Sequence, residues 1–331
     1  MKAMIMAAGV GSRLMPMTKE IPKPMIPMAN RPLMADTVEL LEGHGFQQII
    51  ANLHYHADCI SSYFGDGRDW KVSLEYSRES ELLGTAGGAK RCHWFLDDTF
   101  VIVSGDALTD INLTELVRVH RQQGALATIA LKPVPDVENF GIVITGEDGL
   151  IQSFQEKPRA AEALSCLANT GIYVFEPEIF KYIPSGQFYD FGKELFPYLV
   201  AQGAPFYGVT VADYWCDVGN IPTYLQAHAD ILAGKVRVKT AGSIIVGENG
   251  SRVLLGAGVQ LGKNVKFRGS VVIGADCRIG DKVIIDDSVI WNNTTIGAEV
   301  SIQAAVIGSD CTIGPGSSVE SGSVIASGTG R

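Results

Sequence analysis

No two cysteines in this chain are spaced C-x-x-C. The six, Cys59, Cys92, Cys166, Cys216, Cys277 and Cys311, are scattered through 331 residues, so neither a zinc site nor a disulfide framework is indicated and reduced, mostly buried thiols are expected. No stretch approaches the roughly eighteen uninterrupted apolar residues of a membrane span. The apolar run Ala3 to Ala8 behind Met1 and Lys2 is too short for a signal-peptide core, which leads to the expectation of a cytoplasmic protein. Positive charge is scarce: 27 Lys and Arg stand against 36 Asp and Glu, a formal net charge of −9. Without a basic run, neither nucleic acid nor a membrane surface is expected as a partner. Histidine is scarce as well: His44, His54, His56, His93, His120 and His228 form no ligand-like cluster, and none follows residue 228.

What is present is enough for about two domains with sizeable cores, at 46% hydrophobic residues. Up to about residue 240, short apolar runs such as "KAMIMA", "QQIIANL", "TFVIVSG" and "LATIAL" alternate with helical patterns such as "PLMADTVELLEGHG" and "LTELVRVHRQQG". That is the rhythm of β-α-β units around a mostly parallel sheet, a Rossmann-like α/β domain. "GIVITGEDGLIQSFQEKP" interrupts it with two alternating runs joined by "GEDG", which predicts a β-hairpin. "PTYLQAHADILAGK" predicts a helix closing the domain on Gly234.

From about residue 243 a six-residue beat takes over: Leu255, Leu261, Phe267, Ile273, Ile279, Ile285 and Trp291, then a slip of one residue, then Ile296 and Ile302. Small or branched residues recur four places after each beat. This resembles the hexapeptide repeat of left-handed parallel β-helices, one short strand and one tight turn per hexad. The domains predicted are therefore residues 1–240 and 241–331.

"MAAGVGSRLMPMTKEIPKPM", residues 6–25, joins glycines to Arg13 and Lys23. Glycine lets backbone N–H groups approach an anion, and the two cations add formal charge, so the loop points to phosphate. Two standard phosphate loops do not fit: Leu14 stands where a dinucleotide fingerprint needs its third glycine, and Ser12-Arg13 follows Gly11 where a P-loop needs G-K-[ST].

The stretch "GVGSRLMPMTKEIPKPM" resembles the G-x-G-x-R-L-x-P-x-T-x-x-x-P-K-P-[ML] pattern of sugar-1-phosphate nucleotidyltransferases, with every fixed position present. The likeness continues in order through "LGTAGG" (83–88), "SGDALTD" (104–110), "FGIVI" (140–144), "FQEKP" (154–158), "ANTGIYVF" (168–175) and "YWCDVGN" (214–220). Within that family it is most similar to the mannose-1-phosphate guanylyltransferase-like branch carrying a C-terminal β-helix, with a UDP-glucose-forming branch near by. The resemblance implies transfer of a nucleoside monophosphate from a triphosphate to a hexose 1-phosphate, with GTP and mannose 1-phosphate the first expectation and UTP with glucose 1-phosphate the alternative.

The resemblance also implies roles for individual residues. Arg13 and Lys23 would act at the reacting phosphates, and Ala8, Gly9, Gly11, Gly84 and Thr85 would bind the nucleotide. Gly141, Glu156, Lys157 and Asn169 would bind the sugar phosphate. Asp106, which follows a predicted strand, and Asp217 would hold Mg²⁺, a hard cation suited to oxygen ligands. Asp110 is read as turn chemistry. A β-helix also invites an acyltransferase reading, but that chemistry uses a histidine base and the repeat region has none. A binding-only paralogue would be expected to lose Arg13, Lys23, Asp106 and Asp217, and all four are here. A homo-oligomer is expected from the flat faces of a short β-helix, and because every matched motif lies upstream, a chain ending near 240 is expected to keep the complete chemical site but lose assembly.

Overall fold

A computed structural model describes residues 1–330. The chain divides into two compact units, one of Met1–Gly9 with Thr37–Trp215 and one of Val10–Asp36 with Cys216–Arg331. Among the described residues no helix is long and apolar enough to cross a membrane.

The first unit is built on a nine-stranded sheet. Its strands are β1 (Lys2–Met6), β2 (Gln48–Leu53), β3 (Ser73–Arg78), β4 (Phe100–Ser104), β5 (Ala127–Pro133), β6 (Gly141–Thr145), β7 (Ile151–Glu156), β8 (Leu167–Phe175) and β9 (Phe206–Thr210). β4, β1, β2 and β3 lie side by side and parallel, with Met4 opposite Ile50 and Ile102. β4, β1 and β2 read as near-continuous apolar runs because both faces are covered, whereas β3 at the sheet edge is mostly polar and partly exposed. The expected hairpin is β6–β7, antiparallel, with Glu156 opposite Gly141. β8 runs antiparallel to β4, β5 and β6. The helices include α1 (Leu33–Gly43), α2 (Ala57–Phe64), α3 (Gly84–Arg91), α4 (Leu113–Gln122), α5 (Phe196–Ala201) and, in the second unit, α6 (Ile221–Leu232).

The core of the first unit carries a column of aromatic rings, Phe100, Phe175, Phe191, Phe196 and Phe206, each 5.0–5.7 Å from the next. All five are essentially buried, at about 2–3 kcal/mol of transfer free energy each. Phe191, stacked between Phe175 and Phe196, directly follows Asp190 in the chain.

In the second unit the hexads stack as three parallel ladders. Leu255, Ile273, Ile290, Ile307 and Ile325 lie over one another in the first. The second stacks Leu261, Ile279, Ile296 and Ile313, and the third Phe267, Ile285, Ile302 and Val319. Each coil buries its aliphatic only against the next, so stability comes from stacking. One detail of the expected beat is corrected. The structure puts Ile290, not Trp291, in the ladder above Ile273, so the five-residue step falls between Ile285 and Ile290, one hexad earlier than the aliphatic spacing suggested. Trp291 is buried, yet it points its indole N–H out of the stack at Tyr224 on α6.

α6 starts on a capping box, Asn220 accepting from the Thr223 N–H and Thr223 returning to the Asn220 N–H. It buries His228 edge-on against Tyr224 at 4.6 Å. The Ala29 N–H donates to His228 Nδ1 at 3.4 Å, and Nε2 has no hydrogen-bond partner among the described residues. Burial holds the imidazole pKa down to about 3. The unfolded chain, with an ordinary histidine near 6.5, therefore takes up the proton first. The stability that neutral His228 provides is complete above pH 6.5 and is lost as pH falls from there toward about 3, at no more than about 1.4 kcal/mol per pH unit. Urea unfolding at pH 7 and pH 5 is expected to show a smaller loss on acidification in His228→Asn than in the wild type. Equal losses would assign the acid sensitivity to other groups.

Candidate active site

The glycine loop begins where β1 ends. Ala8 is buried and Gly9 exposed. A Cβ on Gly9 would meet nothing within 4 Å, and its φ is not positive, so no intramolecular contact requires a glycine there. Open space above a bare backbone is what a ligand needs for close approach. Gly11 differs: its φ is 70°, and a Cβ would lie 2.8 Å from the Lys23 Cβ. This glycine lets the loop close on Lys23, and the Thr18 hydroxyl donates to its carbonyl at 2.9 Å.

Lys23 opens a one-turn 3₁₀ helix, Lys23–Met25, and is only 5% exposed. Its ammonium donates to Asp217 Oδ1 at 3.0 Å, and the Arg13 guanidinium lies 3.6 Å from Oδ2. A side chain at Gly219 would reach both Arg13 and Asp217 within about 3.0 Å. The second unit thus brings Gly11, Arg13, Lys23 and Asp217 together, two cations about one carboxylate.

The other candidates lie in the first unit. Asp106 follows β4, at the carboxyl end where α/β sheets place ligands, and Ser104 Oγ donates to its Oδ1 at 2.5 Å. Gly105 donates from its N–H to the Met6 carbonyl, joining this corner to the end of β1. Asp110 accepts from the Tyr214 N–H at 2.9 Å, in keeping with turn chemistry. Gly84 opens α3 at φ 74°, where a Cβ would strike the Tyr189 carbonyl at 2.6 Å. The Thr85 hydroxyl donates to Asp190 Oδ2 at 2.9 Å and accepts from the Phe191 N–H at 2.8 Å.

Gly141 faces Glu156 across the hairpin, and a Cβ on it would lie 3.1 Å from the Glu156 carboxylate and 2.6 Å from the Phe154 ring. Burial is the main cause that raises the Glu156 carboxyl pKa; Asp190 raises it further, while Lys157 and Lys193 oppose. Lys157 itself is exposed, in a left-handed backbone conformation at φ 48°. Asn169 sits at a bulge of β8, its Nδ2 donating to Tyr173 Oη at 3.1 Å and its Oδ1 accepting from the Gly171 N–H at 2.9 Å. Bulges of this kind re-aim side chains beside active sites.

Sequence reasoning missed three groups here. Asp190 accepts from the N–H groups of Gly192 and Lys193 while holding Thr85, and the Glu194 carboxylate accepts from its own N–H. Asp190 is an N-cap residue type opening "DFGKE", a signal that could have found it, although Glu194 stands one residue beyond the usual capping-box spacing because the turn it closes is a π-turn. Asn52 and Glu79 are both buried: Asn52 accepts from the Ala7 N–H and donates to Glu79, whose other oxygen accepts from the Leu83 N–H. This pair ties the start of the glycine loop to the "LGTAGG" segment, and no local pattern announces it. Ser104, which orients Asp106, is the third.

Among the described residues no cluster of three or more metal-ligating side chains exists. Taken one at a time, the carboxylates of Asp106 in the first unit and Asp217 in the second have the donor chemistry of a Mg²⁺ ligand. Both are partly exposed carboxylates, one oriented by a serine, and this cation needs only one or two such ligands when waters and phosphates complete its shell.

A doubly wound sheet with a glycine loop, a buried lysine and carboxylates at strand ends, followed by a hexapeptide β-helix, defines a nucleotidyltransferase architecture. The chain belongs to the nucleotidyl transferase family, whose model matches residues 2–234, and residues 234–330 match the model of the left-handed β-helix domain of the EIF2B epsilon subunit. A UTP–glucose-1-phosphate uridylyltransferase from Synechocystis is 49% identical over 251 residues, covering 72% of this chain and 65% of the relative. A mannose-1-phosphate guanylyltransferase from Mycobacterium tuberculosis is 33% identical over 70% of this chain and 65% of the relative. The chain thus matches less than two thirds, 60–65%, of the length of these curated relatives. Among solved structures, one from Bacillus anthracis assigned as a glucose-1-phosphate thymidylyltransferase superposes with a TM-score of 0.65 at 26% identity, over 72% of this chain and 97% of that one.

Proposed function

We propose that this protein is a sugar-1-phosphate nucleotidyltransferase, and that UTP with glucose 1-phosphate is its substrate pair. The observation that carries the reaction class is the buried Lys23 ammonium, its stem packed against Gly11 of the glycine loop and its charge held with Arg13 about Asp217. The substrate pair is supported by the 49% relative, against 29–33% for the mannose-1-phosphate guanylyltransferases. GTP with mannose 1-phosphate, the first expectation from the motifs, is the second reading.

In this reading a phosphate oxygen of the sugar 1-phosphate attacks the α-phosphorus of the triphosphate. A new P–O bond forms, and the bond from the α-phosphorus to the bridging oxygen breaks, releasing pyrophosphate. No protein nucleophile is needed; the chain holds two polyanions in line and offsets their charge. Arg13 offers a forked donor and Lys23 a point charge to the phosphates. Ala8, Gly9 and Gly11 offer backbone to the triphosphate, with Gly84 and Thr85 beside the base. Glu156 and Asn169 meet sugar hydroxyls, Gly141 gives a backbone contact, and Lys157 meets the sugar phosphate. Asp106 and Asp217 would hold Mg²⁺, which neutralises phosphate charge when bound. Residues 1–240 form the catalytic domain in this scheme. Residues 241–331 form the β-helix domain, through which the chain self-associates, supported by the exposed aliphatics Ile244, Ile245 and Val246.

Pyrophosphate release from a panel of nucleoside triphosphates against hexose 1-phosphates is expected to be fastest with UTP and glucose 1-phosphate. A preference for GTP and mannose 1-phosphate would install the second reading, and no release with any pair would sink the reaction class. Light scattering on the same sample is expected to show more than one chain per particle; a monomer removes self-association from the scheme.

A further inference from the structure

Two residues after the Lys23–Met25 turn, the chain makes a minimal hairpin: Pro27–Met28 pairs with Arg31–Pro32 around Ala29 and Asn30, both at positive φ (48° and 67°). A turn of this hand is unfavourable for alanine and needs outside support. The support comes from far along the sequence. Tyr224 Oη donates to the Pro27 carbonyl at 2.6 Å. The Ala241 N–H donates to the Ala29 carbonyl at 3.0 Å. Asn30 Nδ2 donates to the carbonyls of Ala241 at 3.2 Å and Ile273 at 3.0 Å. Trp291 Nε1 donates to Tyr224 Oη at 3.0 Å, which aims the tyrosine proton at Pro27.

Ile273 and Trp291 belong to the hexapeptide repeats. Trp291 is also the residue that leaves the repeat register, although it is 4% exposed. A repeat that needed only to stack would not turn a tryptophan away from its ladder and pair the indole N–H with another element's hydroxyl.

We infer that the β-helix is a positioning element for the phosphate loop, and that Trp291, acting through Tyr224 and Pro27, is a positioning residue for Lys23. The mechanical link is short: the Ile26 N–H donates to the Lys23 carbonyl at 3.2 Å, and the Leu33 N–H to the Ile26 carbonyl at 3.0 Å. A shift at Pro27 is therefore passed to the lysine within one turn, where misplacement by about 1 Å can cost up to about 10²-fold in rate. A chain ending near residue 240 keeps every matched motif but loses Ala241, Ile273 and Trp291, so, against the expectation drawn from the motifs, it is not expected to keep the loop in place. The catalytic consequence rests on the proposed nucleotidyl transfer; the structural claim does not.

Two measurements separate these. Trp291→Phe keeps an aromatic ring and removes the N–H, and Tyr224→Phe removes the hydroxyl. In the full chain, either is expected to speed amide hydrogen exchange across residues 10–30 by about tenfold or more, with residues 100–104 of the central sheet unchanged. Unchanged exchange across 10–30 in both would overturn the inference, whatever the enzyme does.

In the pyrophosphate assay, each is expected to lower kcat about tenfold with KM for the sugar phosphate moved less than threefold. Adding Trp291→Phe to Lys23→Ala should cost nothing further, because residues acting through one group are not additive. A full additional loss in the Lys23→Ala background, or wild-type kcat in both single variants, would overturn the catalytic role. If Trp291→Phe does not fold, Asn30→Ala, which cuts the tie to Ile273 from the loop side, takes its place in both measurements. A wild type that turns over no substrate pair would sink the proposed function and the role of Trp291 in catalysis, and the exchange data would still decide whether the β-helix holds the loop.

Discussion

Lys23→Ala is expected to lower kcat for pyrophosphate release by about 10²–10³ or more, the usual cost of removing one preorganised group that meets charge in the transition state. The reason lies in how the residue is held. Its side chain is 6% exposed, its stem packs where Gly11 has no side chain, and its ammonium is 3.0 Å from Asp217. The charge therefore sits at a fixed point, where electrostatic interactions are stronger than in water and cost no reorganisation. Lys23→Arg is expected to rescue little, because a planar guanidinium does not fit the space of a buried ammonium under Gly11. Arg13 is a milder case: at 60% side-chain exposure and 3.6 Å from Asp217, it has freedom to be solvated, and Arg13→Ala is expected to cost less than Lys23→Ala. Lys23→Ala turnover within threefold of wild type would return this lysine to a structural role.

The parts of this molecule that follow from local pattern were legible in the sequence. Apolar runs gave β1, β2, β4 and β5 of the first unit, "GEDG" the β6–β7 hairpin, and the aliphatic beat the stacked ladders, because each of these shows as a pattern within a few residues; β3 and β9 carry no such run, and in β8 Asn169 and Thr170 interrupt it. The glycine loop announced itself for the same reason. What escaped is long-range. Asp190 and Thr85 are 105 residues apart, and Trp291 and Tyr224 are 67 apart. Trp291 shows the limit well: its size and spacing fit the aliphatic beat, and only the register of Ile290 on Ile273 reveals that its indole has another task. Gly9 and Gly11 make the same point at short range, since two identical residues in one motif have different reasons to be glycine, and only the surroundings of each Cβ tell them apart.

The two aspartates are expected to lose activity alike and stability differently. Asp→Asn keeps the size and removes the charge. If each carboxylate helps hold Mg²⁺, Asp106→Asn and Asp217→Asn should each lower kcat by about 10²–10³, with part of the loss recovered at excess Mg²⁺. Their surroundings set the folding cost. Asp106 takes a hydrogen bond from Ser104 Oγ at 2.5 Å, and an asparagine oxygen can still accept it, so thermal unfolding should hardly move. Asp217 stands between Lys23 and Arg13. Neutralising it removes the counter-charge from a buried ammonium, and with Asp217 itself one quarter exposed a cost of about 1–3 kcal/mol is expected, less than for a fully buried pair. Asp217→Asn should therefore melt measurably lower than Asp106→Asn. In the double variant Lys23→Met with Asp217→Asn most of that stability should return, because no charge is left unpaired in the interior. Pyrophosphate release with and without a chelator, beside thermal melts of the four proteins, decides each part. Wild-type turnover that survives complete metal removal would sink the Mg²⁺ assignment, and an Asp217→Asn melt equal to that of Asp106→Asn would show that the Lys23–Asp217 pair contributes no net stability.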